Sequence, residues 1–122
     1  MKTVRIEKSS SPQTALSVKY CDTFLSKFVG LMFSRELKQD HGILLVEKKE
    51  SRINTAIHML FMNYDLTVLW LEKDLTIVDK VLAKKWRLFY IPAKPAQYVL
   101  EIHRSKYLEF EIGEKLIFQD MI

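Results

Sequence analysis

The chain has 122 residues, 48% of them apolar and 11% aromatic, with three Gly, three Pro and one Cys. That length fits one domain with a real core and leaves no room for a second, and a lone Cys21 excludes an internal disulfide and any cysteine-based zinc cluster. The net charge of +4 is unevenly spread: residues 79–106 carry seven basic and two acidic groups, a balance of +5, against −1 for the rest.

Folding a chain this long buries roughly two-thirds of the surface its unfolded form exposes. No Gly/Ser-rich or Pro-rich stretch marks a linker, and no repeat recurs. The segment Met1–Lys8 lacks the apolar run of a signal peptide, and no stretch reaches the ~18 apolar residues of a membrane helix. Small secreted domains lean on disulfides. A cytoplasmic protein with no membrane partner is therefore expected.

In chain order, most of the periodicity is two, the period of a strand. Val4 and Ile6 alternate with polar neighbours, as do Leu16, Val18 and Tyr20. After Asp22, a suitable N-cap, the residues Phe24, Leu25, Phe28, Val29 and Met32 fall on one helical face, which predicts a helix over 22–32. Asp40-His41-Gly42 reads as a turn. Ile43–Val46 is a continuous apolar run, as in a strand covered on both faces. Ile53, Thr55, Ile57 and Met59 alternate again and predict a strand. Leu66–Leu71 and Leu75–Leu82 follow as strands joined at Glu72-Lys73-Asp74. Tyr98, Leu100 and Ile102 alternate with Val99, Glu101 and His103. Lys106–Ile112 suits a helical turn, and Lys115–Gln119 a last strand. Leu44, Val46, Val68, Trp70, Val99 and Leu100 are the expected core.

The densest chemical cluster runs from Thr55 to Asp65. A soft-metal site would use His58, Met59 and Met62, because thioethers favour Cu(I). Successive residues of a strand point to opposite faces, which sets His58 against Met59, so no metal and no cofactor is expected. An acid–base pair would join His58 to Asp65 or Glu101. The structural reading packs Met59 in the core and gives His58 a hydrogen bond at a strand end. Cys21 precedes the expected helix, whose N-terminus lowers a thiol pKa, while Asp22 opposes that shift. Lys84-Lys85-Trp86-Arg87-Leu88-Phe89-Tyr90 mixes cations with rings, a composition suited to stacking or to holding an anion, and equally to a basic loop pinned by Trp86 and Phe89. No phosphate-cradling glycine loop, serine elbow or nucleic-acid signature is present.

Taken together, Gly30-Leu31-Met32-Phe33, Gly42-Ile43-Leu44-Leu45-Val46, His58-Met59-Leu60-Phe61-Met62, Trp70-Leu71, Pro95-Ala96-Gln97-Tyr98-Val99-Leu100-Glu101 and Gly113 resemble, in this order, the domain-of-unknown-function family 192 (DUF 192). The resemblance covers roughly Leu16 to Phe118. It implies a small β-sandwich or barrel with short helices, and no reaction. The family usually carries Arg where this chain has Lys27, and Lys lacks the guanidinium fork that grips a carboxylate. It often has Asp where this chain has Thr67, and Pro-Trp where this chain has Lys85-Trp86.

The sequence thus predicts a single mainly β domain over 1–122, a small antiparallel β-sandwich or half-open barrel with one or two short helices. The first functional expectation is a non-catalytic module that binds a small ligand or a partner protein through Lys27, His58, Met59, Met62, Trp86 and Tyr98. The second is a hydrolase-like enzyme using His58 with Glu101 or Asp65. The least favoured is binding of nucleic acid or another polyanion through residues 79–106.

Overall fold

The structure is a computed structural model that describes residues 2–23, 31–32 and 34–121. Seven strands, β1 (Thr3–Lys8), β2 (Ser11–Cys21), β3 (His41–Ser51), β4 (Leu66–Leu71), β5 (Ile77–Ala83), β6 (Ala96–His103) and β7 (Leu116–Met121), form one sheet, with a 3-10 helix at Arg104–Glu109. The order across the sheet is β5-β4-β6-β3-β2-β1-β7. Every pairing is antiparallel except β2 with β3. A parallel pair needs a long crossover, and residues 22–40 supply it: Leu31 and Leu37 of that stretch pack on one face of the sheet.

The sheet curls until its ends meet. Thr76 bridges Lys115, and the amides of Ile77 and Leu116 donate to the carbonyls of Glu114 (2.9 Å) and Leu75 (3.0 Å). Gly113 makes the tight turn before this seam at φ 97°, a conformation that costs glycine nothing. The result is a half-barrel with two apolar faces. Inside lie Val4, Ile6, Leu16, Val18, Leu44, Leu69, Leu71, Ile77, Leu100, Ile102, Phe110 and Leu116. Outside, Ile43, Leu45, Leu66, Val68, Trp70 and Val99 are roofed by Ile57, Met59, Met62 and Tyr64 from the connection between β3 and β4. All six residues of β4 are buried for that reason.

Of the expected core, Leu44, Val68, Trp70, Val99 and Leu100 are buried, whereas Val46 is half-buried at the margin of the inner cluster. The strand expected over Ile53–Met59 does not form. Residues 52–65 run as turns with a single bridge, Ile57 to Tyr90. Thr55, Ile57 and Met59 are buried because the segment lies extended across the outer face, and Ile53 projects into solvent. Period two thus reports a covered face as readily as a paired strand. Most of the helix expected over 22–32 falls outside the described residues. The turn expected over 106–112 is the 3-10 helix, begun two residues earlier: the His103 side chain accepts from the Ser105 amide at its start. Lys80 Nζ donates to the carbonyls of Tyr107 and Phe110, each at 2.9 Å, at its end.

Gly42 faces Ile102 across β3 and β6. A Cβ there would sit 2.5 Å from the Glu101 carbonyl oxygen and 2.7 Å from Ile102 Cγ2, so the two strands would have to part. Gly42→Ala is expected to lower stability by about 1–3 kcal/mol. Chemical denaturation checks this, and a loss within error of zero would show that the strands can part freely.

Candidate functional site

Two chemical features stand on the outer face of the sheet. The first is a ring-and-cation surface made by residues 53–62 and 84–92. The amide of Met59 donates to the Arg87 carbonyl and that of Trp86 to the Met59 carbonyl, each at 2.8 Å. Ile57 and Tyr90 exchange two bonds of 2.9 Å. These bonds fix two turns side by side, and each turn holds an aromatic residue in the left-handed conformation, Phe61 at φ 61° and Trp86 at φ 68°. Such backbone costs a non-glycine residue of order 1–2 kcal/mol. The two rings meet edge to face at 5.3 Å and 67°. Even so, Trp86 remains 50% exposed and Phe89 70%, beside exposed Phe61, Leu88 and Ile91.

The cations around these rings are largely engaged within the fold. Asp65 Oδ1 accepts from the Lys85 amide at 2.9 Å, and its Oδ2 lies 3.4 Å from Lys84 Nζ. The Lys85 amide bond chiefly holds the Asp65 carboxyl below the usual carboxylate range. Arg87 lies over the Tyr90 ring at 5.3 Å, and the Tyr90 hydroxyl accepts from the Lys84 amide at 2.8 Å. Further along the basic segment, Lys80 serves the 3-10 helix, Lys106 pairs with Glu109 at 3.1 Å and Arg104 with Glu36 at 3.5 Å. Much of the excess of +5 is spent on internal contacts.

The second feature is a buried acid. Glu101 is flanked in register by Ile43 of β3 and Val68 of β4, on the face that the outer cluster covers. It is 7% exposed, and desolvation by these apolar neighbours pushes its carboxyl up to about 7. Nearby, Ser34 Oγ lies 2.7 Å from the Tyr64 hydroxyl and donates to the Leu31 carbonyl at 2.7 Å. That leaves the Tyr64 hydroxyl as the donor to Ser34. Burial raises the phenol, and the charges of Glu101 and Glu36 raise it further. His103 Nδ1 accepts from the Ser105 amide at 3.1 Å, and its Nε2 faces Glu36 at 3.6 Å. The ring proton therefore belongs on Nε2, toward Glu36.

Of the residues singled out from sequence, Met59 and Trp86 are joined directly by a backbone bond, and Met62 packs below them in the outer cluster. His58 Nδ1 accepts from the Leu60 amide at 3.2 Å, closing its own turn. Asp65 caps the turn at Lys84 and Lys85. Tyr98 stands on the opposite face, against Phe118 at 5.4 Å, because it shares the pleat of Leu100 and not that of Glu101. Lys27 lies outside the described residues. Cys21 is buried in the outer cluster. Among the described residues, no three His, Cys, Asp or Glu side chains converge to hold a metal ion, and no helix is long and apolar enough to cross a membrane.

Sequence reasoning missed Tyr64, Ser34, Glu36 and the role of Phe61. Phe61 had one signal, its place among four apolar neighbours in a segment too rich in large side chains to bury them all.

The family model DUF192, described as "Uncharacterized ACR, COG1430", matches residues 4–118. A UPF0127 protein of Thermococcus kodakarensis is 43% identical over 99 residues, which are 80% of this chain and 61% of that one. A UPF0127 protein of Pyrococcus furiosus is 36% identical over 109 residues, 88% of this chain and 90% of its own length. The chain thus spans about three-fifths of the first relative and nearly all of the second. A proposed transcription regulator of Sinorhizobium meliloti 1021 superposes with a TM-score of 0.83 at 24% identity, covering 96% of this chain and 92% of that one. A protein of unknown function from Novosphingobium aromaticivorans follows at a TM-score of 0.76 and 19% identity, with 94% and 83% covered. At these identities the two structures share the fold alone. The family match runs through all seven strands and both features of the outer face, and the chain belongs to the DUF192 family.

Proposed function

We propose that this protein is a binding module whose 84–92 loop, with Phe61, receives a segment of a partner protein that carries an apolar anchor and acidic flanks. The observation that carries the reading is the pair Phe61 and Trp86: two large rings held in strained backbone, set edge to face against each other and still open to solvent. Strain maintained at an exposed site points to use, and Trp and Arg are both enriched in interaction hot spots. Lys84, Lys85 and Arg87 border the rings, which favours an acidic flank. Nucleic acid is less well served. A polyanion needs several unengaged cations in a row, and here Lys84 is held by Asp65 and Arg87 lies on Tyr90.

Trp70 is fully buried, with its Nε1 donating to the Thr55 carbonyl at 2.7 Å, so a ligand-induced change in tryptophan emission reports on Trp86. Selection of a displayed random peptide library is expected to enrich acidic sequences with an aromatic or branched anchor. Trp86→Ala is expected to weaken the enriched peptide about thirtyfold with little loss of stability. Equal binding by Trp86→Ala, or tight salt-sensitive binding of a single-stranded oligonucleotide in place of peptide, would overturn the reading.

A further inference from the structure

We propose that the strip shared by residues 53–62 and 84–92 docks an amphipathic helix of the partner, with Phe61 and Trp86 as one anchor point and Ile53 and Ile91 as a second. This rests on the Trp86 reading and adds the form of the recognised segment. Among the described residues, nine large apolar side chains are exposed, and six of them, Ile53, Phe61, Trp86, Leu88, Phe89 and Ile91, belong to these two segments. Scattered apolar side chains are ordinary on a surface, whereas a contiguous set marks an interaction site.

Hydrogen bonds make the set contiguous. The two segments run antiparallel. Arg52 Nε donates to the Pro92 carbonyl at 2.9 Å at one end, Ile57 and Tyr90 exchange two bonds in the middle, and Met59 is bonded to both Arg87 and Trp86 at the other. Ile53 and Ile91, each next to a member of the first bond, therefore stand at one end of the strip, and the Phe61–Trp86 pair stands at the other. Ile91 follows Trp86 by five positions, so at most about 17 Å of chain lies between them. About three turns of helix cover that length.

The form of the occupant follows from the main chain of the strip. An added strand needs a row of open backbone groups. Here Leu88 and Phe89 on one segment, and His58 on the other, are all that lies between bonded residues, which is shorter than a minimal strand. A helix satisfies its own backbone and presents side chains alone, with apolar anchors at i, i+4 and i+7. Lys84, Lys85 and Arg87 border one end of the strip and the exposed Arg52 the other. Two copies of this face would set cation against cation, so the occupant is a helix of another protein with acidic residues beside its anchors.

The probes are two displayed libraries of acidic peptides of equal composition, each about 16 residues or four helical turns long. One places apolar residues at i, i+4, i+7 and i+11, the other at every second position. The helix-patterned library is expected to yield binders about tenfold tighter or better, whose circular dichroism gains helix on binding. Ile53→Ser alters a side chain that is 74% exposed, so it should leave the fold intact while weakening the best of these binders about tenfold. Equal or tighter binders from the alternating library, or unchanged affinity in Ile53→Ser, would overturn the helix and its second anchor. The Trp86 reading would survive either result as long as Trp86 emission still reported binding. A dimer of the free protein that Ile53→Ser dissociates would also overturn the proposal, since a second copy would then hold the strip. Failure of both patterned libraries overturns this proposal alone if the random library succeeds, and the Trp86 reading with it if that library fails too.

Discussion

Truncating Leu100 to alanine is expected to lower the free energy of unfolding by about 2–5 kcal/mol. Leu100 has no exposed surface and stands at the centre of β6, aligned with Leu44 on one side and Leu69 on the other. Both neighbours are themselves fully buried inside the half-barrel. The cost depends on how far the surroundings collapse into the space left behind. Here collapse is opposed twice, because β6 is hydrogen-bonded along both edges and the sheet is tied end to end by the Thr76–Lys115 bridge. The upper part of the range is therefore expected. Leu108→Ala is the control: at 80% exposure it should change stability by less than about 0.5 kcal/mol. Urea unfolding separates the two, with the slope unchanged if only stability moves. A loss below about 1 kcal/mol at Leu100 would mean that the interior is not packed as described.

What the sequence made legible follows from which forces leave a local trace. Burial on both faces of β4 leaves a run, Leu66–Leu71, that is apolar except at Thr67, and the half-barrel's central strands could be read from such runs. The alternation of Tyr98, Leu100 and Ile102 showed that they share a face, but not which one. Tyr98 consequently moved from the expected binding surface to the interior, beside Phe118. The same alternation over Ile53–Met59 misled for a related reason, since a segment lying on a sheet is sided just as a strand within one is. Contacts between distant residues leave no local trace. Ser34 and Tyr64 are thirty residues apart, and His103 reaches Glu36 across still more chain. Each looks like an ordinary turn or surface residue until the crossover folds onto the sheet. The basic segment shows the limit of composition: a sum over residues 79–106 cannot tell that Lys80 is committed to two backbone carbonyls. Glu101 was the exception, a charge set between the apolar Leu100 and Ile102 in the middle of its strand.

That isolated charge gives the second large effect. The wild-type protein is expected to lose stability as pH rises, with Glu101→Gln free of this loss. Burial lifts the Glu101 carboxyl from an ordinary 4.5 to about 7 in the folded chain. Below about pH 4.5 the acid is protonated in both folded and unfolded chains and contributes nothing to the difference. Above that, the unfolded chain releases the proton while the folded chain retains it, so the penalty grows with pH. It is complete once the folded group also ionises, above about pH 7, and amounts to about 3 kcal/mol. Asp65 works in the opposite sense, since its lowered pKa favours the fold above its ordinary value and that contribution is lost on acidification. Because Asp65 is the same in both proteins, its contribution cancels from their difference. Glu101→Gln should therefore match the wild type near pH 4 within about 1 kcal/mol and exceed it by up to about 3 kcal/mol at pH 8. Denaturant unfolding of both proteins at intervals across this range gives the difference curve. A flat curve would show that the carboxylate's charge is compensated in the fold, so that its pKa matches that of the unfolded chain. A curve that rises as predicted would show that the apolar neighbours Ile43 and Val68 leave the carboxylate's charge uncompensated in the fold.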